Sequence, residues 1–199
     1  MRVGVFGGTF DPIHFGHLLA ADDVRRQLGL DRVLLIPCHV PPHKTRGMSE
    51  WNHRVEMCRQ AIRAWPGFRL STLEDERPGP SYTCDTLALL RKQLPGARLH
   101  LLMGADQYAD MPRWHRPEEL ARLARIVVMS RPGERRPPRF RSHPARRVRF
   151  LYVIPVDISA AGVRERFALD RSCHYLLPSA VSVYIRRHRL YNRQQEVQC

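Results

Sequence analysis

The chain opens on a short β-prone run, Arg2 to Phe6, closed by the glycine pair Gly7-Gly8. From Gly16 to Gly29 the apolar positions switch to helical spacing, with Leu18, Leu19, Val24 and Leu28 on one side. Arg32 to Ile36 is a continuous apolar run stopped by Pro37, the pattern of a strand buried on both faces of a parallel sheet. A helix follows, with Ser49 as its N-cap and Val55, Cys58 and Ile62 inside, ending near Pro66-Gly67. Phe68 to Leu73 predicts a third strand, and Ser81 or Thr83 starts a helix carrying Leu87, Leu90 and Leu94. Arg98 to Met103 is the fourth strand. Pro117 suits the first position of a short helix, with Glu118 and Glu119 favourable near its positive end. Strands over Ile126 to Met129 and Val148 to Ile154 precede two helices, Ala160 to Phe167 and Pro178 to Arg187.

Strands and helices therefore alternate, and the strands are apolar. That combination predicts an α/β fold around a parallel sheet. A length of 199 residues favours one domain, here spanning residues 1–191 with a polar tail over 192–199. A hydrophobic share of 43% with 26% charged residues excludes a mostly disordered chain. Apolar stretches such as Leu99 to Ala105 fall far short of the ~20 residues that span a bilayer. Only Val3 to Gly8 separate Arg2 from the polar chemistry at Thr9 and Asp11, so no signal peptide is expected. The five cysteines, Cys38, Cys58, Cys84, Cys173 and Cys199, form no CxxC pair. Neither a disulfide framework nor a zinc ribbon is expected, and a cytoplasmic location fits best.

The net charge of +14 is the unusual bulk property. It points to nucleic acid, an anionic membrane or small polyanions such as nucleotides. Lys44 and Lys92 are the only lysines among 33 basic residues, a bias that coding preference alone can produce. Residues 131–149 hold eight arginines and four prolines. They read as a solvated insertion loop, or as a flap over an anionic ligand with Arg131 nearest the strand end.

Ligands of such folds bind outside the carboxyl ends of the strands. The first such end reads GGTFDPIHFGHL, residues 7–18. It is neither GxGxxG nor a Walker A loop. It offers two glycines that let the backbone approach a ligand, then His14 and His17 three residues apart at a helix start. Positions i and i+3 share a helical face, and a helix N-terminus adds unpaired N–H groups and partial positive charge. Together they make a compact polyphosphate clamp, with Gly16 leaving room for a phosphate. An isolated HxxH reads more simply as one cap and one core histidine; the full string at a strand-to-helix junction outweighs that. A catalytic zinc site lacks a third ligand.

The string resembles the signature of nucleotidyltransferases with a T/HxGH motif, and more narrowly that of bacterial nicotinate-nucleotide adenylyltransferases. The resemblance continues through PCHVPPHK (37–44), SYTCDTL (81–87), MGAD (103–106), Trp114-His115, SRPG (130–133) and ISAAGVR (158–164), in family order. It implies a single-domain, doubly wound (Rossmann-like) parallel sheet with flanking helices, of the nucleotidyltransferase type. It also implies adenylyl transfer from ATP to the 5′-phosphate of nicotinate mononucleotide, giving nicotinate adenine dinucleotide (deamido-NAD) and pyrophosphate in NAD biosynthesis. Mg²⁺ is required with ATP, and no tightly bound organic cofactor is implied.

By the same resemblance His14 and His17 bind ATP phosphates, while Gly7, Gly8, Thr9 and Phe10 place backbone donors along the nucleotide. Arg164 holds the outer phosphates, Ser159 acts with the following helix N-terminus, and Lys44 is a second cation. Asp106 after Gly104 accepts from a ribose hydroxyl, or else caps the segment from Gln107. Trp114 stacks on the pyridine ring, backbone N–H groups near Thr83, Cys84 and His115 bind its carboxylate, and Arg131 is a candidate for the mononucleotide phosphate.

One departure stands out. The family has hydroxyl residues and then isoleucine where this chain has Ala160, Ala161, Gly162 and Val163. Ala161 replaces a threonine, which predicts weaker ATP binding rather than a different reaction. Rival readings are a sister transferase acting on nicotinamide mononucleotide or phosphopantetheine, and a nucleic-acid-binding protein on a degenerate transferase fold. Trp114 and the SYTCDTL segment argue against phosphopantetheine. The scarcity of aromatics in the basic stretch argues against RNA. Partners are expected to be small molecules, with no nucleic acid and no membrane; a homo-oligomer is left open.

Overall fold

The computed structural model describes residues 1–42, 47–130 and 148–192. Six strands form one parallel sheet: β1 (Arg2–Gly8), β2 (Arg32–Pro37), β3 (Phe68–Leu70), β4 (Arg98–Gly104), β5 (Arg125–Ser130) and β6 (Val148–Tyr152). Their spatial order is β3-β2-β1-β4-β5-β6, so the winding reverses between β1 and β4. This is the doubly wound parallel sheet expected from the sequence. In register, Val5 of β1 lies beside Leu34 of β2 and Leu101 of β4.

Side chains alternate along each strand, so each strand feeds two cores. On one face Phe6, Val33, Leu35, Leu102 and Val127 pack with Leu18, Met57, Val163 and Ile185. These come from helices α1 (Phe15–Leu28), α2 (Trp51–Ala61), α6 (Ala160–Ala168) and α7 (Ser179–Arg187). On the other face Val3, Val5, Leu99 and Val128 pack with Leu87, Tyr108 and Leu120. These come from α3 (Thr83–Gln93), α4 (Ala105–Asp110) and α5 (Pro117–Leu123). Cover on both faces explains why the strands read as unbroken apolar runs.

Several boundaries differ from the sequence expectation. β3 ends at Leu70, not Leu73, because it is an edge strand pairing only Val33 to Leu35. Beyond it Ser71 still donates to the Leu35 carbonyl at 3.0 Å, then the chain turns as Asp75 N–H reaches Thr72 at 2.9 Å. β6 ends at Tyr152, and Ile154 N–H donates instead to Asp23 Oδ2 at 3.0 Å. Ser49 is not a cap: Glu50 precedes α2 and makes no side-chain capping bond. On α1 the buried positions are Leu18, Ala21 and Val24, with Leu19 half-buried. Leu94 is the C-cap of α3 and packs, half-buried, against the same core as Leu87 and Leu90. α4, absent from the sequence reading, runs directly out of β4. Lys44, Arg131 with nearly all of the basic stretch, and residues 193–199 lie outside the described residues.

Candidate active site

The junction of β1 and α1 is built around its histidines. His14 is the N-cap of α1 and lies in extended backbone. Its N–H donates to Nδ1 of His17 at 3.3 Å, while His17 N–H donates to the His14 carbonyl at 3.0 Å. The two imidazoles stack, centroids 3.7 Å apart and planes 24° off parallel. With Nδ1 accepting, a neutral His17 carries its proton on Nε2 and presents a donor there. Its pKa lies well below the ordinary histidine value, first because burial beside Phe6 and Phe10 strips water from the charged form, then because His14 opposes a second charge.

That depression has a stability consequence whose sign is fixed. Above the unfolded value near 6.5 both states are neutral and His17 contributes nothing. Below it the unfolded chain takes up a proton that the folded chain refuses, so stability falls with pH. The expected result is that His17→Gln loses less of its urea midpoint than the wild type between pH 7 and pH 5.5. Equal losses would show that the ring titrates normally.

Gly16 is required for a different reason from the one expected. A Cβ there would sit 3.0 Å from His14 Nδ1 and 3.1 Å from Cε1. The room it leaves is filled by the His14 ring, not by a ligand. The same position lies 3.6 Å from the Ile158 carbonyl, which brings the start of α6 against the start of α1. Ser159 caps α6, its Oγ accepting from Gly162 N–H at 3.0 Å, so its own hydroxyl proton stays available to an anion. Arg164 donates to the Asp11 carbonyl at 2.6 Å. Asp11 is itself buried: its carboxylate accepts from Ser49 N–H at 3.2 Å and from the Tyr191 hydroxyl at 2.6 Å. Two helix N-termini, an arginine and two imidazoles thus converge on one spot, an arrangement that favours a polyanion.

A cavity of about 820 Å³ opens next to it, beside the carboxyl ends of β1 and β4. Gly7, Gly8, Thr9, Thr83, Asp106, Trp114 and His115, all singled out from sequence, line it. Phe10 does not: its backbone is left-handed, with φ 49°, and its ring is buried edge-on to His17. Asp106 is not the N-cap of its helix. Gly104 takes that place, and its N–H donates to Gln107 Oε1 at 3.2 Å. A Cβ on Gly104 would meet Asp106 Oδ1 at 2.5 Å, so the glycine lets the carboxylate fold back over the strand end.

Thr83 and Cys84 are the first two residues of α3, and their N–H groups stand ahead of its first internal bonds, which Asp85 and Thr86 make to the Tyr82 carbonyl. The Cys84 thiol is buried and turned from the cavity; burial raises its pKa. His115 stacks on Tyr82, centroids 4.2 Å apart. Asp85 receives Arg116 on one oxygen and Arg77 on the other, the latter at 3.2 Å, which ties the Trp114 loop to the start of α3.

Asp11, Arg54, Glu74, Tyr82 and Arg116 were not singled out from sequence. Arg54, only 1% exposed, donates to the carbonyls of Ser49 (3.1 Å), Thr9 (3.1 Å), Cys38 (2.6 Å) and His39 (3.2 Å). Glu74, buried at the cavity wall, accepts from His39 N–H at 3.2 Å and from the Thr86 hydroxyl at 2.7 Å. Cys38 beside it has its thiol pushed up to about 12, by burial and then by the Glu74 charge.

A doubly wound sheet with paired helix starts at its switch point is the architecture of a nucleotide-binding protein. The sequence profile of the cytidylyltransferase-like family matches residues 5–166. Nicotinate-nucleotide adenylyltransferase of Bacillus subtilis is 39% identical over 191 residues, covering 96% of this chain and 98% of that protein. A probable nicotinate-nucleotide adenylyltransferase of Bacillus pumilus is 43% identical with the same coverage. The chain belongs to the cytidylyltransferase-like family, among its nicotinate-nucleotide adenylyltransferases. Among solved structures, nicotinic acid mononucleotide adenylyltransferase of Plasmodium falciparum, complexed with NaAD, has the same fold, with a TM-score of 0.79 at 18% identity over 96% of this chain and 97% of that one.

Proposed function

We propose that the chain joins nicotinate mononucleotide to the AMP part of ATP. An oxygen of the 5′-phosphate bonds to the α-phosphorus, the bond to the β-phosphate bridge breaks, and pyrophosphate leaves. The observation that carries this reading is the convergence of the His14–His17 pair, Arg164 and the starts of α1 and α6 at the loop whose Gly7, Gly8 and Thr9 line the cavity. In-line transfer needs alignment and charge compensation more than covalent chemistry.

His17 donates through Nε2 to the triphosphate, and His14 supports it from the cap. Arg164 and Ser159 take the outer phosphates; Gly7, Gly8 and Thr9 bring backbone against the nucleotide. Asp106, in the cavity lining just after Gly104, offers an acceptor to a ribose hydroxyl. Trp114 supplies a ring face for the pyridine, and the N–H groups of Thr83 and Cys84, with His115 beside them, meet its carboxylate. Lys44 and Arg131 keep their roles on the family resemblance alone. No group of three or more metal-ligating side chains stands together among the described residues. Mg²⁺ is taken, on the family resemblance, to enter with ATP, held by phosphate oxygens and water. The same reading has the chain work on small molecules in the cytoplasm rather than on nucleic acid or membrane. Among the described residues no helix is long and apolar enough to cross a bilayer.

Pyrophosphate release with ATP, Mg²⁺ and a panel of acceptors tests the reading. Nicotinate mononucleotide should be preferred; preference for nicotinamide mononucleotide or phosphopantetheine overturns it. Ala161, exposed in the first turn of α6, supplies a second check. Ala161→Thr adds a hydroxyl where a phosphate contact is missing, and one charge-assisted hydrogen bond is worth about 1.5–3 kcal/mol. Its KM for ATP should fall; a large rise would show that this helix start is built differently.

A further inference from the structure

We infer that Arg54 is a positioning residue that holds the ATP loop and the acceptor cavity in one alignment, an inference resting on the reaction proposed above. A buried guanidinium is costly to desolvate, and among the described residues no carboxylate contacts this one. It is satisfied instead by four carbonyl oxygens from two loops that leave the sheet side by side. Thr9 belongs to the loop after β1, the other three to the segment between β2 and α2.

Peptide geometry extends the reach of those bonds, because a carbonyl turned toward Arg54 turns the next N–H the opposite way. The peptide joining Cys38 to His39 has its oxygen on Arg54 and its N–H on Glu74. The peptide joining His39 to Val40 has its oxygen on Arg54 and its N–H on Ser81 Oγ at 3.2 Å. Ser81 N–H returns to the Val40 carbonyl at 2.8 Å, and Glu74 continues to Thr86 on α3. Cys38, Glu74, Ser81 and Thr86 all line the cavity, as does Thr9. One side chain therefore fixes the wall of the acceptor cavity relative to the loop that carries the donor. Arg54 is buried and does not line the cavity, so its removal should disturb the approach of the two substrates rather than the hold on either.

The test is pyrophosphate release by the full chain, varying ATP and nicotinate mononucleotide separately, for wild type, Arg54→Lys, Arg54→Met and Glu74→Gln. A misplacement of about 1 Å can cost 100-fold in rate, so Arg54→Met should lose kcat about tenfold or more while each KM moves less than about threefold. Arg54→Lys, able to reach only part of the oxygen set, should recover some of that loss. Glu74→Gln leaves Arg54 in place and breaks the far end of the chain of bonds, so it should show a smaller loss with the same kcat signature; it carries the test alone if the Arg54 variants do not fold. Folded variants with kcat within twofold of wild type, or with the loss confined to KM, overturn the inference. A wild type that does not turn over this substrate pair overturns the reaction instead. Hydrogen exchange of the ligand-free chain then still decides: Arg54→Met should speed exchange around Thr9 and around Cys38 to Val40 together, and a change confined to α2 would refute the coupling.

Discussion

His17→Ala should lose kcat by about 100-fold or more, the scale seen when one preorganised donor is removed from an oxyanion site. The ring is set before substrate arrives: His14 N–H on Nδ1 fixes which nitrogen keeps the proton, and stacking with His14 fixes the plane. Nothing must reorganise when negative charge moves from the α-phosphate onto the leaving group. Alanine removes the donor and leaves His14 N–H without its acceptor, while α1 keeps its buried face through Leu18, Ala21 and Val24. The thermal midpoint should therefore move by only a few degrees while the rate collapses. Single-turnover measurement with saturating substrates checks this, and a variant within fivefold of wild type would remove His17 from the chemistry.

Trp114→Ala should raise the KM for nicotinate mononucleotide roughly tenfold or more, since stacking on an aromatic face is worth about 1–3 kcal/mol per base. The loop that carries Trp114 is held independently of its ring. The Trp114 N–H bonds to the Met111 carbonyl at 3.0 Å, His115 stacks on Tyr82, and Arg116 is anchored on Asp85. The indole can thus be removed without releasing the loop, and the KM for ATP should stay within about twofold. Trp114→Phe should retain most of the affinity. If Trp114→Ala weakens both substrates equally, the ring is packing rather than a platform.

The order of strands and helices was legible because glycine and proline punctuate it and the inner strands are buried along most of their length. Ends were less so. β3 stops early because an edge strand has one partner, which a run of apolar residues does not reveal. Ser49 has the chemistry of a cap, but its N–H is held by the Asp11 carboxylate and its carbonyl by Arg54. α4 buries only Tyr108, too little to leave a stripe. The histidine pair and part of the cavity (Gly7, Gly8, Thr9, Thr83, Asp106, Trp114 and His115) were readable from motif and family resemblance, whereas Glu74, Tyr82 and Arg116 of the same lining were not. Arg54 was hidden in plain view: with Met57, Cys58 and Ala61 it shares the buried face of α2, and an arginine at the head of an apolar stripe reads as solvated. Its partners are main-chain oxygens, and no residue pattern encodes those.

Tyr191, close to the end of the described chain, reaches back across 180 positions to the Asp11 carboxylate in the first loop. During synthesis the sheet can assemble from the amino end as its strands emerge, yet Asp11 lacks this partner until Tyr191 has cleared the ribosome. The first loop thereby reaches its full set of bonds only after the chain has been made as far as Tyr191, whatever part of the sheet has formed by then.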